Sequence, residues 1–151
     1  MYDPRSRYLA DAVSTAGPAK LLTMLYDRLL LDLDRGEAAL RLADRGAASR
    51  HLCHAQDIVT ELMGSLDTRE WEGGAQLMSV YAFVVDELVQ ANVRADADRV
   101  RRTRAVVAPL AAAWHEAAAI IARGSVPAQR PAAASESTPD RAPSSGLLGV
   151  G

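Results

Sequence analysis

Apolar side chains recur at three-and-four spacing in four successive stretches of this chain, and that repetition leaves few folds open to it. The first stripe runs Leu22, Leu25, Tyr26, Leu29, Leu33, Gly36, Leu40 and Ala43, and Asp44-Arg45-Gly46 follows as its stop. The second carries Leu52, Ala55, Ile58, Val59, Leu62, Met63 and Leu66 and is predicted to end near Asp67, where charge and Gly73-Gly74 supply loop chemistry. The third presents Leu77, Val80, Tyr81, Val84, Leu88, Ala91 and Ala95. A turn at Ala95-Asp96-Ala97-Asp98 separates it from the fourth, with Asp96 or Asp98 as the cap. The fourth has Val100, Val107, Leu110, Trp114, Ala117 and Ile121 and is expected to stop at Gly124. Each stretch is about 20 residues, so each helix is roughly 30 Å long. Such helices are unstable singly and must bury one another's stripes. Short turns between them then dictate an all-α, antiparallel up-down four-helix bundle.

Flanking segments differ from this core. Residues 1–17 read as a polar arm with the apolar anchors Tyr2, Tyr8, Leu9 and Val13, and Gly17-Pro18 make a helix start. Gly36 falls inside the first stripe, where glycine costs roughly 1 kcal/mol against alanine and marks close approach of a neighbour. Pro109 interrupts the fourth, so a kink is expected there. Residues 125–151 gather Pro127, Pro131, Pro139 and Pro143 among Ala, Ser and Gly without apolar periodicity, and read as a disordered tail. The expected organisation is therefore an arm at 1–17, a bundle at 18–124 and a tail at 125–151.

Composition narrows the function classes. With aromatics at only 5%, the apolar content is mainly Ala, Leu and Val, which suits close-packed helices better than a sheet. A net charge of -2 without a long single-sign block disfavours nucleic acid and anionic membrane as partners. Cys53 is the only cysteine, which rules out an intramolecular disulfide. The first residues lack the apolar core of a secretory signal, and no window reads as the ~20 apolar residues of a spanning helix. The expectation is a cytoplasmic protein with no membrane insertion.

Catalytic parts are missing from the pattern. His51, Cys53 and His54 form the one suggestive cluster, and exposed helix polar residues account for it better than a metal site does. His115 is the only other histidine, and no Glu-x-x-His pair exists to build a carboxylate-bridged metal centre. There is no Gly-rich phosphate loop, no Gly-x-Ser-x-Gly elbow and no His-Glu-x-x-His. No enzyme activity, metal or other cofactor is expected. Arg94, Arg99, Arg101, Arg102 and Arg104 are offset by Asp96 and Asp98 and lack interleaved aromatics, so they read as a solvated helix end. Trp114 and Tyr81, on their stripes, read as core. Tyr26 continues the stripe and Asp27 lies a step off it.

The segment Tyr8 to Asp27, YLADAVSTAGPAKLLTMLYD, resembles the start of the FliS family of flagellar secretion chaperones, in which a tyrosine precedes V-x-T-[AS]-x-P-x-x-L-x-x-M-L-Y-D. Further echoes follow in the family's order. They are Ala55 to Leu62 with Ser65-Leu66-Asp67, then Val80-Tyr81 with Glu87 to Asn92, then Ala113-Trp114-His115-Glu116-Ala117. The resemblance spans residues 8 to about 122. Two departures stand out: Gly17 where the family usually has Ser, and Pro109, which the family does not require.

This resemblance implies a cytoplasmic export chaperone that binds the disordered C-terminal segment of flagellin, prevents premature polymerisation and delivers it to the flagellar type III export apparatus. It implies the export gate as a further partner, and candidate flagellin-binding residues Tyr8, Leu9, Val13, Thr15, Tyr26, Asp27 and Asn92. The arm becomes a lid over a groove, and Asn92 a partner for a client backbone amide. Monomer or weak homodimer is the expected state. The bundle pattern alone supports an alternative equally well: a four-helix structural or regulatory module acting through a homodimer interface.

Overall fold

The computed structural model describes the backbone of residues 4–66, 69 and 72–136, with side chains described from Gly17 to Gly124 within that span. Four helices follow in order: α1 Pro4–Arg41, α2 Arg45–Ser65, α3 Gly74–Arg94 and α4 Ala97–Glu136. No strand occurs among the described residues, and the fold is the expected all-α four-helix bundle. Met1–His115 form one compact unit, which holds the core, and Glu116–Gly151 form a second.

Within the first unit the predicted stripes become the core. Tyr26, Leu29 and Leu33 of α1, Leu52, Val59 and Leu62 of α2, Val84 and Leu88 of α3, and Val100 and Val107 of α4 are all buried. Small residues bring α1 against α2. A Cβ built on Gly36 would stand 2.7 Å from Leu52 Cδ2, so any larger residue here would have to push the buried Leu52 side chain aside. Ala48, Ala55 and Ala91 are fully buried as well.

Local chemistry sets the helix ends. α1 breaks at Gly17, whose φ of 83° lies in the left-handed region that favours glycine, and Pro18 opens the regular part. Residues 4–16 before the break are helical, although the sequence there shows no apolar periodicity. After Arg41 the chain turns through Ala43 in the left-handed region, with Asp44 N–H donating to the Ala39 carbonyl at 2.9 Å. Ala43 is therefore an exposed turn residue, not the last member of the α1 stripe. Asp44 caps α2 by accepting from Ala47 N–H at 3.0 Å, so Gly46 lies in the first turn of α2. Of the two candidate caps for α4 it is Asp96 that serves, accepting from Arg99 N–H at 3.0 Å. Asp98 instead pairs with Arg41 of α1 at 2.9 Å.

α4 runs as one helix through Pro109, which is exposed, as is Ala105 one turn earlier. In two respects it departs from expectation. Its helical backbone passes Gly124 and reaches Glu136, and residues 137–151 of the expected tail lie outside the described residues. Finally, a stretch within Ala97–Gly124 is long and apolar enough, by length and composition alone, to cross a membrane, contrary to the sequence reading. Its many alanines and valines raise the apolarity without forming a long run of large side chains. In the first unit Val100, Thr103, Val107 and Ala111 of this helix are buried in the bundle core.

The arginines of α4 do more than solvate a helix end. Arg99 pairs with Glu87 of α3 at 2.7 Å, and Arg104 with Asp34 of α1 at 2.6 Å. Arg101 reaches Glu37 of α1 at 3.5 Å. Arg45, at the start of α2, donates to the carbonyls of Asn92 and Val93 at the end of α3. These contacts fasten the end of the bundle that carries both short turns.

Candidate functional site

At the opposite end of the first unit the described residues form a groove of about 690 Å³ where α1 enters and α2 leaves. One wall is Pro18, Leu21, Leu22 and Leu25, a stripe at three-and-four spacing along α1, with Ala19 beside it. Glu61, Gly64 and Ser65 of α2 form a second wall, and Trp114 of α4 a third. Gly64 has open space where a Cβ would stand, so the α2 wall is low. Among the described residues the side chains that meet here are mostly apolar, and Glu61 is the single charged one.

Trp114 is held from behind. Its indole N–H bonds the Tyr26 hydroxyl, which also meets the Tyr81 hydroxyl at 2.6 Å. Tyr26 is fully buried and Tyr81 nearly so, so the chain of three rings runs from the groove wall into the centre of the bundle. Burial raises both phenol pKa values above the ordinary phenol value. The bonds from Tyr81 and Trp114 partly offset this for Tyr26, whereas the bond to Tyr26 raises Tyr81 further. Next along α4, His115 Nε2 meets Asp27 Oδ1 at 2.6 Å on the surface. Adjacent residues of α4 thus grip adjacent residues of α1, one pair inside and one outside.

Of the candidate residues read from the sequence, the three whose side chains are described, Tyr26, Asp27 and Asn92, lie at different places. Tyr26 supports the groove from the core and offers no surface to a ligand. Asp27 is exposed and engaged with His115. Asn92 is half-buried at the far end, donating to Ser49 Oγ at 3.4 Å near the start of α2. Ser49 and Glu61 are separated by about 18 Å along that helix. Asn92 therefore joins α3 to α2 at the fastened end. The side chains of Tyr8, Leu9, Val13 and Thr15 lie outside the described residues.

Two features escaped the sequence reading. Trp114, read as core, is only partly buried and forms a groove wall. His54, read as an exposed helix residue, turns inward on α2 to contact the fully buried carboxylate of Asp32, which Arg28 also approaches at 3.2 Å. The signal was present: Asp32 falls on the apolar stripe, three residues after Leu29 and one before Leu33. A carboxylate there needs a partner from the facing helix. Among the described residues no group of His, Cys, Asp and Glu is arranged to hold a metal.

Comparison with known proteins decides the lineage. The family model described as "Flagellar protein FliS" matches residues 1–121. The chain belongs to the FliS family. It is 30% identical over 115 residues to the flagellar secretion chaperone FliS of Bacillus subtilis strain 168, covering 76% of this chain and 86% of that one. It is 32% identical over 108 residues to the chaperone of the same name from Escherichia coli K12, covering 70% and 79% respectively. The corresponding Salmonella typhimurium LT2 protein is 30% identical over 108 residues, 70% of this chain and 80% of that one. These family members are chaperones of flagellar secretion by name. Membership carries a chaperone role with a secreted flagellar substrate as partner.

Proposed function

We propose that this protein is a cytoplasmic chaperone for flagellin, binding its C-terminal segment, keeping it from polymerising and handing it to the flagellar type III export apparatus. The observation that carries this reading is the apolar groove beside Trp114. Its α1 wall offers anchors at the spacing of an amphipathic helix, which is the helix-in-groove mode of peptide recognition. A client helix that would otherwise self-associate can bury its apolar stripe there. Apolar burial supplies roughly 25 cal/mol per Å², from which the cost of ordering the client is deducted. Two turns of groove are too few to hold a disordered segment alone, so the client extends over further apolar surface. The outer face of α3, where Phe83 and Val93 are exposed, offers such surface. The arm at residues 1–17 acts as a displaceable lid through Tyr8, Leu9 and Val13, with Thr15 at its base.

Titration of the full-length protein with the C-terminal segment of flagellin from the same genome tests this reading. One-to-one binding, a gain of helix and a markedly negative heat-capacity change are expected. A Leu21→Asp, Leu25→Asp variant, placing charge on the groove wall, is expected to lose binding. Absence of micromolar binding by the unaltered protein would overturn the reading.

A further inference from the structure

Among the described residues the groove carries a charge of one sign. Glu61 is the one charged lining residue among them, exposed on the α2 wall facing Leu21, Leu22 and Leu25. Asp57 stands one turn earlier on the same face of α2, also exposed. No ion pair engages either carboxylate among the described residues, although most other acidic groups of the bundle are claimed. Asp32, Asp34, Glu37, Glu87, Asp96 and Asp98 each have an arginine partner, and Asp27 has His115. Among the described residues Asp44, Glu72, Asp86 and Glu116 are likewise without an ion pair, but only Asp57 and Glu61 stand together, one turn apart, along an edge of the apolar groove.

We infer that the groove selects an amphipathic helix carrying a basic side chain, Lys or Arg, one turn from its apolar anchors, with Glu61 as its counter-charge and Asp57 extending the acidic edge. This rests on the chaperone reading of the same groove and adds the charge of the segment that enters it. An apolar stripe alone accepts any amphipathic helix of suitable width. A carboxylate at the edge fixes which way the helix lies and rejects acidic neighbours, because electrostatic complementarity sets orientation and specificity more than affinity. Exposure of Glu61 limits the attraction, which salt screens.

The test is calorimetric titration of the full-length protein and its Glu61→Gln and Glu61→Arg variants with the C-terminal flagellin segment from the same genome. Both variants change an exposed side chain, and their folding is verified by urea unfolding. At low salt Glu61→Gln is expected to weaken binding about threefold and Glu61→Arg about tenfold, with both effects shrinking as salt rises. Replacing the segment's basic residue nearest its apolar anchors with Glu is expected to weaken binding to the unaltered protein and to restore it toward Glu61→Arg. Unchanged affinity in Glu61→Arg, or a binding segment without a basic residue beside its anchors, overturns the inference and leaves the chaperone reading standing. Absence of binding by the unaltered protein overturns both.

Discussion

Removing one hydroxyl from the buried tyrosine pair should cost different amounts depending on which ring loses it. Tyr81→Phe deletes the partner of a Tyr26 hydroxyl that still has the Trp114 indole, so the loss is one net hydrogen bond, about 1 kcal/mol. Tyr26→Phe leaves the Tyr81 hydroxyl, only 4% exposed, with no partner among the described residues, and also releases the Trp114 indole. An orphaned buried hydroxyl costs about 1–3 kcal/mol, so this variant should lose about 2–3 kcal/mol. In the double variant no phenol remains to be orphaned, and only the indole, which reaches the groove, loses a partner. Its loss should be about 1 kcal/mol, less than that of Tyr26→Phe alone. Urea unfolding at constant m-value gives the three differences, and each kcal/mol should lower the Tm by about 2–4 °C. The double-mutant cycle should show coupling of about 2–3 kcal/mol. Equal single losses that simply add would refute the three-ring chain, as they would mean each hydroxyl finds its own separate partner.

Other expectations follow from the same structure. Gly36→Ala gains about 1 kcal/mol of helix propensity but forces a Cβ against fully buried Leu52, so a net loss of about 1 kcal/mol is expected in urea unfolding; a gain would mean Leu52 moves aside freely. His54→Ala leaves Asp32 buried with Arg28 as its only other ion-pair partner among the described residues, and should cost about 2–4 kcal/mol, whereas His51→Ala should be within about 0.5 kcal/mol of the unaltered protein. Because burial raises the Tyr26 and Tyr81 phenol pKa values, the unfolded chain sheds those protons first; stability is unaffected by them below pH of about 10 and falls as pH rises further, which Tyr81→Phe should lessen in alkaline unfolding curves. Deletion of residues 1–16 should tighten flagellin binding in calorimetry if the arm competes for the groove, and weaker binding would make the arm part of the site.

Residues whose environment is set by their own helix were legible in the sequence. Leu29, Leu33, Val59, Leu62, Val84 and Leu88 declare themselves by spacing, because a helix has one inward face and apolar side chains must occupy it. Gly36 was legible for a related reason, since a costly residue kept inside a helix implies a neighbour that needs the space. What stayed hidden depends on a second helix arriving at a definite height. Asp32 needs His54 from α2, Asp27 needs His115 from α4, and Asn92 meets Ser49 only because α3 ends beside the start of α2. Spacing along one helix contains no such register. Trp114 is the instructive case. Its place on the stripe correctly turned it toward α1, where its indole finds Tyr26, but the stripe says nothing of whether the bundle closes beyond it. The fastened end has two short turns and a mesh of arginine pairs; at the other end α1 enters and α2 leaves, with a groove between them. A tryptophan at that boundary is hydrogen-bonded into the core and also lines the groove, which makes the same residue part of the bundle and, under the proposed reading, part of the surface offered to a client.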